Sequence, residues 1–167
     1  KKYSTIRSTI KENIFETKIN GLLPYSTYYY YAFAEVNYSL LSGEIKSFKT
    51  KSANSYIKTE DATNITKTSA QLNGTTTLST LYSEEDNRVN YYIRYSTDSV
   101  NLKSSNSYYN YFDTKNPTKN GNNLSTTVSD LDNGTTYFFC IVAKIDGVYF
   151  FGDIKQFTTE QSNPTGD

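Results

Sequence analysis

Residues 21–50, GLLPYSTYYYYAFAEVNYSLLSGEIKSFKT, decide the reading of this chain. Residues 130–159, DLDNGTTYFFCIVAKIDGVYFFGDIKQFTT, repeat them without a gap at an offset of 109 residues. Leu22 falls on Leu131, Thr27 and Tyr28 on Thr136 and Tyr137, and Ala34 on Ala143. Gly43 falls on Gly152, Ile45 and Lys46 on Ile154 and Lys155, Phe48 on Phe157 and Thr50 on Thr159. A period near about 100 residues is too long for a solenoid unit and matches whole domains in tandem.

Apolar and polar residues alternate through most of the chain, and no segment of helical length shows 3.6-residue spacing. The pattern predicts strands over residues 57–66, 69–78, 89–96, 108–112, 124–129, 136–144 and 149–159. The turn sequences Asp132-Asn133-Gly134 and Asp146-Gly147 fall between them. Some seven short strands in about 100 residues imply an all-β, antiparallel two-sheet sandwich. Period two puts Ala70, Leu72, Val89, Tyr91, Ile93, Tyr95, Tyr137, Phe139, Ile141 and Ala143 inside. The alternate side chains face water or a neighbour.

The N-terminal copy is incomplete. Residues 1–50 read as the C-terminal half of one sandwich, 51–56 as a short polar linker, 57–159 as a complete sandwich and 160–167 as a further linker or tail. Residues 13–20 match the strand before the Leu-to-Tyr corner, and residues 1–7 supply at most one more edge strand. Nothing matches the first three strands of the C-terminal copy. About 50 residues of half a sandwich leave its apolar face uncovered. Two explanations stay open: the chain is an excerpt of a longer array, or another chain supplies the missing strands. The linker has no flexible Gly/Ser run, so it joins the copies stiffly.

Composition narrows the functions. Seventeen basic and seventeen acidic residues cancel, leaving no field to steer a polyanion, so nucleic acid is not an expected partner. Tyr and Phe make up 16% of the chain, enough ring area to build a small core despite an apolar share of 36%. The chain has no His, which removes the side chain most used for proton transfer near neutral pH and the commonest metal ligand. Cys140 is the single cysteine, so no disulfide forms within the chain. No apolar run has the length of a membrane span.

The pattern Leu131-x-x-x-Thr135-Thr136-Tyr137, alternation to Ala143, a turn, and then Gly152-x-Ile154-x-x-Phe157-x-Thr159 resembles the fibronectin type III family. Residues 61–74, DATNITKTSAQLNG, look like the opening strands of versions found in microbial and phage surface proteins. The resemblance implies an immunoglobulin-like sandwich with structural tyrosine corners at Tyr137 and Tyr28, the phenol bonding back to the preceding turn. Two departures stand out. The family's usual core Trp has no counterpart; its place lies near Gly74, so surplus tyrosines are expected to fill the space. The period is also long, with the excess in residues 97–123.

No catalytic residues, cofactor or metal are expected. The acidic run Glu84-Glu85-Asp86 reads as a solvated loop. Asp130-x-Asp132-Asn133-Gly134 fails as a calcium loop: its glycine comes one position early and its twelfth residue is Ile141. Cys140 has no neighbouring cation in sequence and reads as a small apolar residue under a neighbour. Candidate interface residues come from the aromatic surplus. Alternation puts Phe138, Cys140 and Val142 on the outward face of the C-terminal copy, with Tyr92 beside them, and Tyr29, Tyr31 and Phe33 on that of the N-terminal copy. A row of rings across strands marks an interface unless Lys and Arg stems cover it. The insert SSNSYYNYF, residues 104–112, has the Tyr/Ser/Asn composition of adaptable binding loops, naming Tyr108, Tyr109, Tyr111 and Phe112. Asn37, Asn64, Asn73, Asn123 and Asn133 each begin an Asn-x-Ser/Thr sequon.

The expected function is therefore non-enzymatic: a spacer, stalk or fibre module of an extracellular, cell-surface or virion assembly. Its expected partners are other protein chains or further domains of the same array. The alternative is an adhesion module that binds glycans or proteins through the Tyr-rich loop and the exposed aromatic face.

Overall fold

The computed structural model describes residues 5–6, 9–11, 14–82, 88–105, 111–115 and 117–161. The N-terminal copy carries β1 (Thr9–Lys11), β2 (Ile14–Glu16), β3 (Thr27–Tyr30), β4 (Phe33–Val36), β5 (Ser39–Ser42) and β6 (Lys46–Lys49). The C-terminal copy carries β7 (Ile57–Thr59), β8 (Ala70–Thr76), β9 (Val89–Ser96), β10 (Phe112–Lys115), β11 (Thr118–Asn120), β12 (Asn123–Val128), β13 (Thr136–Ile145), β14 (Val148–Phe151) and β15 (Lys155–Thr158).

The C-terminal copy is an antiparallel sandwich. One sheet has the order β11-β12-β8-β7. The other has the order β10-β9-β13-β14, and β15 takes over beside β13 where β14 leaves it. Period two along each strand sends Leu72 and Leu124 from one sheet against Ile93, Phe139, Ile141 and Phe157 from the other.

Gly74 explains how the core closes without a tryptophan. A Cβ at this position would lie 2.2 Å from Ile141 Cγ1. The Ile141 side chain reaches across from the opposite sheet into the space beside Gly74, and Tyr82 and Tyr137 are buried in the same core.

Strand limits differ from the expected ones where backbone pairing changes hands. The strand expected over residues 57–66 leaves the ladder after Thr59; beyond it the Glu60 N–H donates to the Asn73 carbonyl at 3.0 Å, and the Thr63–Gln71 bridge meets β8 again. The strand expected over 149–159 divides at Gly152, whose N–H donates to the Ile141 carbonyl at 2.9 Å. β11 lies in the stretch read as an insert, and the expected edge strand is observed at Phe112–Lys115. In the N-terminal copy the additional strand is β1; most of residues 1–7 lie outside the described residues.

The repeat is stronger in the backbone than in the sequence. Thr9 pairs with Glu16 as Thr118 pairs with Ser125, so the β1–β2 hairpin matches β11–β12 at the same offset of 109. Thr27 pairs with Lys49 as Thr136 with Thr158, and Val36 with Ser39 as Ile145 with Val148. Even the left-handed backbone is repeated: Tyr25 has φ 49° where Gly134 has φ 59°.

Candidate functional site

Each copy is locked at one end by a tyrosine corner. The Leu23 N–H donates to the Tyr28 hydroxyl at 2.7 Å, and the Asp132 N–H donates to the Tyr137 hydroxyl at 3.0 Å. A threonine completes each corner. Thr50 Oγ1 donates to the Leu23 carbonyl at 2.7 Å and accepts the Ser26 N–H at 2.9 Å. Thr159 Oγ1 donates to the Asp132 carbonyl at 2.6 Å and accepts the Thr135 N–H at 2.9 Å. The corner rings stack on equivalent phenylalanines, Tyr28 on Phe48 at 5.8 Å and Tyr137 on Phe157 at 5.6 Å.

The two copies touch through the first corner. Tyr82 donates its hydroxyl to the Leu22 carbonyl at 2.7 Å, and Arg88 Nη1 donates to the Gly21 carbonyl at 2.9 Å. Arg88 is itself held by Asp146 through Nε, at 3.0 Å to Oδ2, and through Nη2. Burial of the Tyr82 ring pushes its phenol pKa up, with Arg88 opposing this. Between the copies, a single 3-10 turn over Ala53–Tyr56 puts Ala53 in the core. The Ser52 hydroxyl caps it by accepting the Asn54 N–H at 3.3 Å.

The outward aromatic faces of the two copies have opposite fates. On the C-terminal copy, Cys140 and Val142 are fully buried, together with Leu102 from the insert. Tyr92, Phe138, Tyr111, Tyr149 and Phe151 surround them and are half-buried. The insert folds back over this face, and Arg94 pins it there. The Arg94 guanidinium, 1% exposed, binds Asp113 through both carboxylate oxygens at 2.7 and 3.0 Å. It also donates to the carbonyls of Leu102 and Ser104, and it lies 3.6 Å from the centre of the Tyr111 ring. The row expected from Phe138, Cys140 and Val142 is therefore covered, by an arginine and the chain it holds. Burial raises the Cys140 thiol from its ordinary 9.0 to about 12, which makes it a poor nucleophile.

On the N-terminal copy the same face is open. Tyr29, Tyr31 and Phe33 are exposed, Tyr29 at 75%, and the Tyr31 and Phe33 rings lie 6.1 Å apart. The opposite face, which would be the core of this copy, is open as well. Phe48 is 39% exposed where Phe157 is 5%, and Leu41 is 61% exposed where Phe150 is 6%. The expected site residues thus fall into three groups: Tyr29, Tyr31 and Phe33 together on open sheet, Tyr92, Phe138 and the insert's own Tyr111 packed around Leu102, Cys140 and Val142, and Phe112 exposed at the edge. Phe112 stacks on Tyr95 at 5.2 Å. Tyr108, Tyr109 and the acidic run at residues 84–86 lie outside the described residues. Arg94 is the residue the sequence reading missed: an arginine on the outward face of a strand gives no sign that an insert will fold over it.

Backbone edges matter as much as rings here. β13 is one continuous strand because β9 pairs along it from Phe138 to Ile145. Its equivalents β3 and β4 are separated at Tyr31 and Ala32, where partnership passes from β6 to β5 and no third strand among the described residues bridges the gap. Among the described residues, β2, β3 and β4 each pair with one strand only. No group of three or more His, Cys, Asp or Glu among the described residues converges as a metal site. No helix among them is long and apolar enough to cross a membrane.

No protein-family model matches the chain, and no curated protein matches it. Among solved structures, the chain is similar to the sensor domain of the anti-sigma factor RsgI4 in Pseudobacteroides cellulosolvens, at 24% identity over 64% of this chain and 94% of that one, with a TM-score of 0.46. It is similar to the fibronectin type III domain of human fibronectin type III domain containing protein 3, at 20% identity over 70% of this chain and 96% of that one, TM-score 0.45. It is also similar to domains d3–d4 of the rat CD45 extracellular region, at 17% identity over 95% of this chain and 78% of that one, TM-score 0.44. These are likenesses of fold between distant sequences.

Proposed function

We propose that this chain is part of a tandem fibronectin type III-like array, serving as a spacer, stalk or fibre module of an extracellular, cell-surface or virion assembly. It has no catalytic step in this reading, and its partners are other protein chains or further domains of the same array. The observation that carries the reading is the repetition of one corner geometry in two copies whose junction is tied by Tyr82 to Leu22 and by Arg88 to Gly21. A buried junction residue, Ala53, and side chains that grip the neighbouring backbone favour a stiff joint over a swivelling one. Stiffness is what a spacer contributes.

The test is a distance distribution between spin labels at Tyr38→Cys and Val100→Cys in a Cys140→Ser background, since both labelled sites are exposed. One narrow distance, broadened by Tyr82→Ala with Arg88→Ala, supports the module. A broad distribution in the unaltered junction contradicts it. Immunogold labelling of the source cell or particle tests the surface placement.

A second reading, a glycan-binding adhesion module, has one observation in its favour. A cleft of about 560 Å³ lies where the copies meet, lined by Tyr25, Tyr149 and Phe151 together with Ser52 and Asn54. Aromatic faces with hydroxyl and amide groups suit a sugar ring. Binding on a glycan array that is lost in Tyr25→Ala would favour this reading over the spacer.

A further inference from the structure

We propose that the open side of the N-terminal copy is an acceptor for a three-stranded β segment, supplied from outside residues 1–167 and built on the plan of β7, β8 and β9. The inference rests on the module reading and names the chemistry of the partner. Its source is the internal repeat: the C-terminal copy displays the same acceptor with its occupant in place.

Three features mark the acceptor. The first is backbone. β8 pairs along β12 from Ala70–Val128 to Thr75–Asn123 and β9 pairs along β13, while the matching edges of β2 and of β3–β4 pair with no strand among the described residues. A row of peptide groups in that geometry is a template for strand addition. The second is the uncovered face. Tyr30, Val36, Leu41 and Phe48 are exposed at positions where Phe139, Ile145, Phe150 and Phe157 are buried.

The third is a pair of slots that specify side chains. In the C-terminal copy a Cβ on Gly152 would lie 2.7 Å from Thr59 Oγ1, and that hydroxyl accepts the Ile141 N–H at 3.1 Å. Gly43 keeps the same bare backbone, but the nearest atom to its added Cβ is the Ala32 carbonyl at 3.6 Å. The room for a β7-like strand is present, and the Ala32 N–H stands where the Ile141 N–H meets a hydroxyl. The donor's first strand therefore carries Ser or Thr there. The second slot is reversed in size. Ile141 fills the space that makes a glycine necessary at position 74; its counterpart Ala32 leaves that space empty. The donor's second strand therefore carries a large apolar side chain where β8 has Gly74. Its third strand lies along β3–β4 and bridges the break at Tyr31 and Ala32, as β9 bridges β13.

A second copy of this chain is the poorer occupant, because its own β7, β8 and β9 are already committed to a closed sandwich. A small apolar ligand would cover the face and leave both edges unpaired.

The test uses the full chain with residue-resolved amide exchange. The added probes are synthetic peptides of residues 57–96 in three forms: unaltered, Gly74→Leu, and Gly74→Leu with Thr59→Val. The Gly74→Leu peptide is expected to bind at one per chain and to slow exchange over residues 29–36 at least tenfold. The unaltered peptide should bind more weakly, and the Thr59→Val form more weakly than Gly74→Leu. No protection from any peptide, equal protection from all three, or residues 29–36 already protected in a self-associated chain would each overturn the proposal. Because the spin-label distance does not depend on the peptides, failure here with a narrow junction distance leaves the spacer reading standing. Complementation with a broad junction distance does the reverse.

Discussion

The Thr59 hydroxyl accepts the Ile141 N–H at 3.1 Å inside the sandwich, tying the first strand of one sheet to the centre of the other. The bond sits where β13 changes partner from β15 to β14, and there a side chain substitutes for the ladder. Thr59→Val keeps the shape and removes the acceptor, leaving a buried N–H unsatisfied. The expected loss is about 1–3 kcal/mol in urea unfolding. Thr59→Ser should lose less, because the hydroxyl stays.

Gly74→Ala should be among the most damaging single substitutions in the chain. The added methyl group meets Ile141 at 2.2 Å and the Lys58 carbonyl at 2.7 Å, and backbone yields less readily than a side-chain end. Overpacking of this kind costs about 1–3 kcal/mol, occasionally more. Adding Ile141→Ala should recover part of the loss, which a thermal melt of the double variant will show. Ala32→Ile, which gives the open copy the side chain that Ile141 supplies in the closed one, should leave the main unfolding transition in place.

The insert should come away when its pin is removed. Asp113→Ala leaves the Arg94 guanidinium buried without its carboxylate, a loss of about 3–5 kcal/mol for a fully buried pair and less here because Asp113 is partly exposed. The diagnostic readout is local. Cys140 lies under the insert, so its thiol should resist a thiol reagent at pH 8 in the native protein and react readily in Asp113→Ala.

The architecture was legible because it rests on period two and on a repeat long enough to align. Val89–Ser96 was read to the residue, and the inward set from Tyr137 to Ala143 follows from alternation alone. What alternation lacks is the identity of the cover on the outward face. Cys140 and Val142 read as outward-facing, and nothing in residues 97–123 announces that Leu102 and a segment held by Arg94 will be the cover. Residues 13–20 are legible as the counterpart of β12, but β1 at Thr9–Lys11 is not: its register on β2 repeats that of β11 on β12, and only backbone pairing shows it. The filling of the Gly74 gap by Ile141 was also hidden, because the two residues are 67 positions apart on facing sheets.

Stability should fall in alkali in a way that depends on Cys140. Burial raises the folded thiol to about 12 from an ordinary 9.0, so between those values the unfolded chain releases a proton that the native one keeps. The unfolded state then binds fewer protons, and stability drops as pH rises through this window. Urea midpoints at pH 8 and pH 10.5 should separate further for the parent than for Cys140→Ala, which has no thiol to titrate. Equal separations would mean that the thiol is not held in its neutral form.

Residues 9–51 repeat the closing half of the sandwich with one side left open, and amide exchange of Ala32 against Ile141 is the sharpest check of that asymmetry. Ile141 should exchange only through global unfolding, and Ala32, on the open side, at least about 100-fold faster. Comparable protection at the two amides in a monomeric chain would mean that the N-terminal copy is closed.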